Sequence, residues 1–178
     1  MTRRSRRGFL TAAALTVGAL AGCAAGDGQS TDGPTDAAGA TTEAPGLSLE
    51  TLDLTGSPGG EVRVAPPGRP VLLDFFATWC APCKPQMASL GTLREAEPDL
   101  VMRSLTRETD RAAIRSFWAD HDGNWPVATD PTLRAFQAYG VTGIPTLVVL
   151  DAAGTEVWRH TGLAAADTLL ARVEEARA

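Results

Sequence analysis

The segment "VLLDFFATWCAPCK", Val71–Lys84, holds two of the three cysteines in a chain of 178 residues. Its first half, Val71–Ala77, is a dense apolar run, the pattern of a strand buried on both faces. Its second half sets Cys80 and Cys83 two residues apart, and "APCKPQMASLGTLREAE" then reads as a helix from Ala81 to about Glu97. Pro85 lies near the first turn of that helix, where a missing N–H loses little. A cysteine pair between a buried strand and a helix start is well placed for redox chemistry. The helix dipole and its unpaired N–H groups favour a thiolate there. Cys80 is therefore expected to be the attacking thiol and Cys83 the shielded partner, one turn inside. Two other readings fit the pair less well. Half of a zinc site would want two further ligands at close spacing, and His121 and His160 stand far off and unpaired. A structural disulfide across so short a loop would constrain the unfolded chain little.

Outward from this segment the pattern alternates. "LSLETLDL" and "EVRVA" are predicted as two short strands, with "TGSPGG" as their turn. "DLVMRSLT" reads as a strand, "TDRAAIRSFWADHD" as a helix capped by Thr109 or Asp110, "WPVATD" as a short strand and "PTLRAFQAYG" as a short helix. "GIPTLVVLD", "AAG" and "TEVWRHTG" give strand, turn and strand, and "AAADTLLARVEEARA" closes the chain as a helix. Strands alternating with helices predict an α/β sandwich with parallel pairs and an antiparallel hairpin near the end.

The N-terminus differs from the rest. "MTRRSRRGFLTAAALTVGALAGC" runs from a basic stretch through an uncharged one to small residues, the build of an export signal. "SRRGFL", Ser5–Leu10, resembles the twin-arginine export motif, and "LAGC", Leu20–Cys23, resembles a lipobox. That resemblance implies cleavage after residue 22 and a lipid on the Cys23 thiol. A weakly hydrophobic, uncleaved anchor is the other reading. Residues 24–46 contain no aromatic residue and no Leu, Ile, Val or Met, so they cannot offset their ordering entropy. They are predicted to be a flexible tether, about 25 Å end to end. Formal net charge is −5, but removing Arg3, Arg4, Arg6 and Arg7 leaves 12 basic against 21 acidic side chains, a net of −9. No basic patch is evident in the sequence to meet nucleic-acid phosphates, and none is expected as a partner.

"VLLDFFATWCAPCK" together with "VTGIPTLVVLDAAG" resembles the thioredoxin superfamily over residues 47–178. The N-terminal hairpin, the helix-strand unit inserted before "GIPT" and the export signal narrow the resemblance. It becomes one to the TlpA-type extracytoplasmic thiol-disulfide oxidoreductases, which include reductases serving cytochrome c maturation. The expected fold is a thioredoxin-like three-layer α/β sandwich with an N-terminal hairpin and that inserted unit. The implied chemistry is a Cys80–Cys83 dithiol/disulfide couple, with no metal or organic cofactor. The implied partners are a disulfide-containing client protein and a membrane or soluble dithiol donor that recharges the pair. Asp74 lies in the apolar run, matches the family's buried aspartate and is expected to have a raised pKa and to accept the Cys83 proton. Pro145 matches the family's cis-proline. It implies that backbone groups of Ile144 and Thr146 pair with an extended substrate, while Trp79 shapes the docking surface. Gln86 stands where many relatives carry a glutamate, and it cannot titrate. The dipeptide Ala81-Pro82 offers no charge to stabilise a thiolate, which leans the couple towards reduction. A disulfide oxidant or isomerase, and a thiol-based metal-binding module, remain the alternatives.

Overall fold

The computed structural model describes residues 46–178. The predicted signal, Cys23 and nearly all of the predicted tether lie outside the described residues. A seven-stranded mixed sheet forms the middle layer. Its strands are β1 (Ser48–Leu54), β2 (Ser57–Arg63), β3 (Val71–Phe76), β4 (Val101–Thr106), β5 (Val127–Thr129), β6 (Thr146–Leu150) and β7 (Glu156–Thr161). They lie in the order β2-β1-β5-β4-β3-β6-β7. The pairs β3/β4 and β4/β5 are parallel, and the other neighbours are antiparallel. The helices are α1 (Cys83–Ala96), α2 (Arg111–Asp120), α3 (Arg134–Ala138) and α4 (Ala166–Glu175). The inserted unit is α2–β5, and β5 carries the N-terminal hairpin on its outer side.

All six residues of β3 are buried, as its apolar run demands. Alternation sends Leu72 and Phe76 into one core cluster and Val71, Leu73 and Phe75 into the other. The first cluster is filled by α1 (Met87, Leu90, Leu93), α2 (Ile114, Phe117, Trp118) and α4 (Leu169, Val173). The second is filled from α3 by Ala135 and Phe136. This is the expected three-layer arrangement. Asp110 caps α2, its Oδ1 accepting from the N–H of Ala112 and Ala113 at 3.0 Å each.

Two local expectations are corrected. The segment "TGSPGG" is not all turn, because β2 begins at Ser57 and only Thr55 and Gly56 reverse the chain. Gly56 makes this possible with φ of 71°, and a Cβ there would lie 1.9 Å from the Asn124 backbone. Pro58 is tolerated because β2 is an edge strand. Helix α1 starts at Cys83 rather than Ala81. Ala81 and Pro82 form a turn closed by the Cys83 N–H donating to the Cys80 carbonyl at 3.1 Å, so Cys83 is the first helical residue and not one turn inside. No helix of the described residues is long and apolar enough to cross a membrane.

Candidate active site

Asp74 is the only charged residue of β3, and it is 2% exposed. It projects to the same side as Leu72 and Phe76, towards the cluster that contains Cys80 and Cys83. The strand is regular around it: Asp74 pairs with Ser104 on β4 and with Leu147 on β6. No kink lifts the carboxyl to solvent. Ser104 Oγ donates to Asp74 Oδ2 at 2.7 Å, and Trp125 Nε1 donates to Ser104 Oγ at 2.9 Å. Oδ1 is buried with no hydrogen-bond partner among the described residues. Burial pushes the Asp74 carboxyl up to about 7, and the Ser104 hydrogen bond offsets only part of that rise. The Ser104–Trp125 relay was not visible in sequence, since nothing local marks a serine 30 residues away as an aspartate's partner.

Beyond the end of β3 the chain turns into α1. Cys80 and Cys83 form a disulfide, S–S 2.09 Å with Cα atoms 5.3 Å apart. The cysteines are 4% and 2% exposed, so burial alone does not separate their roles. What distinguishes them is position. Cys80 sits in the turn between exposed Trp79 and exposed Ala81, whereas Cys83 begins the helix. The first turn of α1 has no acidic residue and no side-chain cap, so its N–H groups remain available to a sulfur anion.

Glu108 braces this turn, and sequence reasoning missed it. Its Oε2 accepts from the Thr78 N–H and its Oε1 from Thr78 Oγ1, both at 2.7 Å. Thr106 Oγ1 donates to Oε2 at 3.0 Å. One carboxylate thus ties the residue before Trp79 to the end of β4. An acidic residue just after a strand reads as ordinary loop in sequence, so no signal marked it.

The Ile144–Pro145 peptide bond is cis. Thr146, placed in the substrate-pairing set, belongs inside the sheet instead. It has Phe75 on one side and Thr161 on the other, and its Oγ1 donates to the Gly143 carbonyl at 2.8 Å. The Pro145 carbonyl accepts from the Gly162 N–H at 2.9 Å. Gly143 and Ile144 stay at the surface and line a cleft of about 80 Å³ with Phe76, Arg107, Phe136 and Val141. Trp79 is 61% exposed, and the Arg107 guanidinium lies 5.8 Å from its ring centroid. Leu163, 54% exposed, is the only other large exposed apolar side chain among the described residues. It adjoins Ala164, which Gln86 holds through two hydrogen bonds: Nε2 to the Ala164 carbonyl at 3.1 Å, and the Ala164 N–H to Oε1 at 2.8 Å. Gln86 is buried, and its role is a link between α1 and the loop before α4. Lys84 is exposed at the second position of α1.

Residues 36–174 match the Redoxin family. The chain belongs to that family. It is 30% identical over 125 residues to the thioredoxin-like protein YneN of Bacillus subtilis (strain 168), covering 67% of this chain and 70% of YneN. It is also 30% identical over 97 residues to the thiol-disulfide oxidoreductase ResA of Bacillus thuringiensis subsp. konkukian, covering 53% of this chain and 56% of ResA. The chain thus spans little more than half the length of ResA. Among solved structures, DsbF of Mycobacterium tuberculosis superposes with a TM-score of 0.67 at 20% identity, over 78% of this chain and 99% of DsbF. The fold is thioredoxin-like, and this member of the Redoxin family is a thiol-disulfide oxidoreductase with a Cys80–Cys83 pair.

Proposed function

We propose that this member of the Redoxin family reduces disulfides of client proteins on the outer face of the cytoplasmic membrane, in the manner of the TlpA type. The observation that carries the reading is a disulfide at a helix start with a neutral Ala81-Pro82 turn, set above a buried carboxyl on the same side of the sheet. In the reduced enzyme, the Cys80 thiolate attacks one sulfur of a client disulfide. A mixed disulfide forms and the first client thiolate leaves. Asp74 takes the Cys83 proton, and the Cys83 thiolate attacks the Cys80 sulfur. The second client thiolate leaves, and the enzyme holds the Cys80–Cys83 disulfide. Two electrons have passed to the client, and an external dithiol donor restores the pair. Trp79 and the Gly143–Ile144 edge receive the client chain. The process we assign is cytochrome c maturation, in which the paired cysteines of a haem-attachment segment must be reduced. The signal over residues 1–22, a lipid on Cys23 and the following tether supply the location, and two chains of such a lipid suffice for stable attachment.

The test is thiol trapping. Cys83→Ser should accumulate a mixed disulfide between Cys80 and a model client, because attack persists while resolution fails. Cys80→Ser should not attack at all. Normal client release by Cys83→Ser, or alkylation of Cys83 ahead of Cys80 in the reduced protein, would reverse the roles. Mass spectrometry of the membrane-bound protein should find 22 residues removed and a lipid on Cys23, whereas an intact N-terminus would overturn the anchoring scheme.

A further inference from the structure

Three arginines converge on the turn between α1 and β4, at the end of the sheet opposite the disulfide. Arg69 lies two residues before β3, Arg94 in the last turn of α1, and Arg103 within β4. Strands β3 and β4 are parallel and both begin at this end, whereas Cys80 lies beyond the far end of β3. Arg69 Nη2 donates to the Asp99 carbonyl, Arg94 Nη1 to the Leu100 carbonyl at 3.1 Å, and Arg103 Nη1 to the Met102 carbonyl at 2.8 Å. The three guanidinium groups are thus gathered on the backbone of residues 99–102.

None of the three has a carboxylate within ion-pair distance among the described residues. The ion pairs there use Arg111, Arg159, Arg172 and Arg177 instead. Glu97, at the end of α1, is engaged by Arg177, and the Asp99 side chain is exposed. Residues 46–178 carry 12 basic and 17 acidic side chains, so carboxylates are not scarce. Arg115 and Arg134 also donate to backbone carbonyls without an ion pair, and what sets Arg69, Arg94 and Arg103 apart is that they share one turn. Arg103 is half-buried, and its Nε is buried without a hydrogen-bond partner among the described residues. Burial, then Arg69 and Arg94, hold its guanidinium below the ordinary range. Closing the turn alone would need only a neutral amide at each carbonyl. Three fixed like charges at one turn repel one another and are stabilised by an anion between them. A guanidinium fork offers five N–H donors, and each here spends one on the backbone.

We propose that Arg69, Arg94 and Arg103 form a binding site for a phosphate-class oxyanion, the chemistry shared by a phospholipid headgroup and a free phosphate. Planar guanidinium groups match phosphate oxygens in bidentate geometry. The site does not depend on the proposed anchor. Its consequence for orientation does: headgroups held at this end would turn Cys80 and Trp79 outward, towards clients.

The test uses the full chain with Cys23→Ser throughout, so that no lipid anchor contributes. One arm titrates inorganic phosphate against chloride at matched ionic strength. The other floats the protein on phosphatidylglycerol or phosphatidylcholine vesicles. Phosphate should bind, and Arg69→Gln/Arg94→Gln should weaken it by about tenfold or more. Arginine-dependent retention on phosphatidylglycerol identifies a headgroup as the source, and phosphate binding without it identifies a free anion. Melting in chloride checks that the double variant folds; if it does not, Arg69→Gln and Arg94→Gln singly are read the same way, each with a smaller loss. No phosphate binding together with no arginine-dependent vesicle preference overturns the site, as does binding unchanged in the variants.

Discussion

In the proposed mechanism, Asp74 links burial to proton transfer through one side chain. An aspartate in water titrates near 3.8, and burial moves this one to about 7. Below pH 3.8 the carboxyl is protonated in both folded and unfolded chains, and its burial carries no charge penalty. Between there and 7 the unfolded carboxyl ionises while the folded one holds its proton, so stability falls as pH rises, and above 7 the loss is complete. Three pH units at 1.36 kcal/mol each put that loss on the order of 4 kcal/mol. Asp74→Asn removes it, so the variant should gain stability over the parent as pH climbs from 4 to 7, with no further gain above. The new amide N–H₂ meets the buried Oδ1 position, which has no hydrogen-bond partner among the described residues, and subtracts a pH-independent amount. Resolution by Cys83 should slow by roughly 10²–10⁴ if the carboxyl is the base. Urea unfolding across pH and single-turnover release check both, and a flat stability difference with unchanged release would remove Asp74 from the chemistry. Ser104→Ala gives the opposite perturbation. Its hydroxyl lowers the Asp74 pKa, so without it the pH optimum of resolution should move to higher pH. An unmoved optimum would mean that the hydrogen bond does not tune the base.

At the scale of elements, Gln86 joins α1 to the loop before α4 across 78 residues of sequence. The pairing needs a donor and an acceptor on one side chain, because it meets both the carbonyl and the N–H of Ala164. An amide supplies both at every pH. Gln86→Glu supplies them only while protonated; once ionised, one oxygen still accepts from the Ala164 N–H, but the other faces the Ala164 carbonyl in a buried site. The folded pKa of the introduced carboxyl should therefore be raised. Stability should match the parent at pH 4 and fall below it as pH rises, by about 1–3 kcal/mol at pH 8. Urea unfolding at the two pH values decides this, and parallel curves would mean that the link is not maintained by the amide. The same residue marks where sequence reading stopped. The strands and helices were legible because their signals are local: the apolar run of β3, the cap at Asp110, the proline and glycine punctuation. The cysteine pair and Asp74 were legible because each breaks a local pattern. Gln86–Ala164, Glu108–Thr78 and Ser104–Asp74 were not, because each joins elements that become neighbours only after the sheet assembles. The "TGSPGG" turn was misread because an edge strand tolerates proline and glycine that a central strand would reject.

Across the whole molecule, folding and redox poise are linked. The native structure stabilises one redox form of the pair over the other, relative to an unfolded chain, and that difference sets the potential. An oxidant of this architecture needs its reduced form stabilised, chiefly by holding a thiolate. The helix start offers that stabilisation, but the remaining surroundings oppose it. Ala81 and Pro82 carry no charge, both cysteines are nearly buried, and the carboxyl on their side of the sheet becomes negative above pH 7. A sulfur anion in that setting is desolvated and repelled once Asp74 ionises. The oxidised form should therefore be the more stable, as a reductase requires. Urea unfolding at pH 7 should give a higher midpoint for the Cys80–Cys83 disulfide than for the dithiol. Each 1.4 kcal/mol between them should correspond to about 30 mV in the potential measured against glutathione or a dithiol buffer. Asp74→Asn, by removing the opposing charge, should narrow the gap above pH 7 by stabilising the dithiol form. A higher midpoint for the reduced protein would make the chain an oxidant and refute the direction of transfer proposed for it.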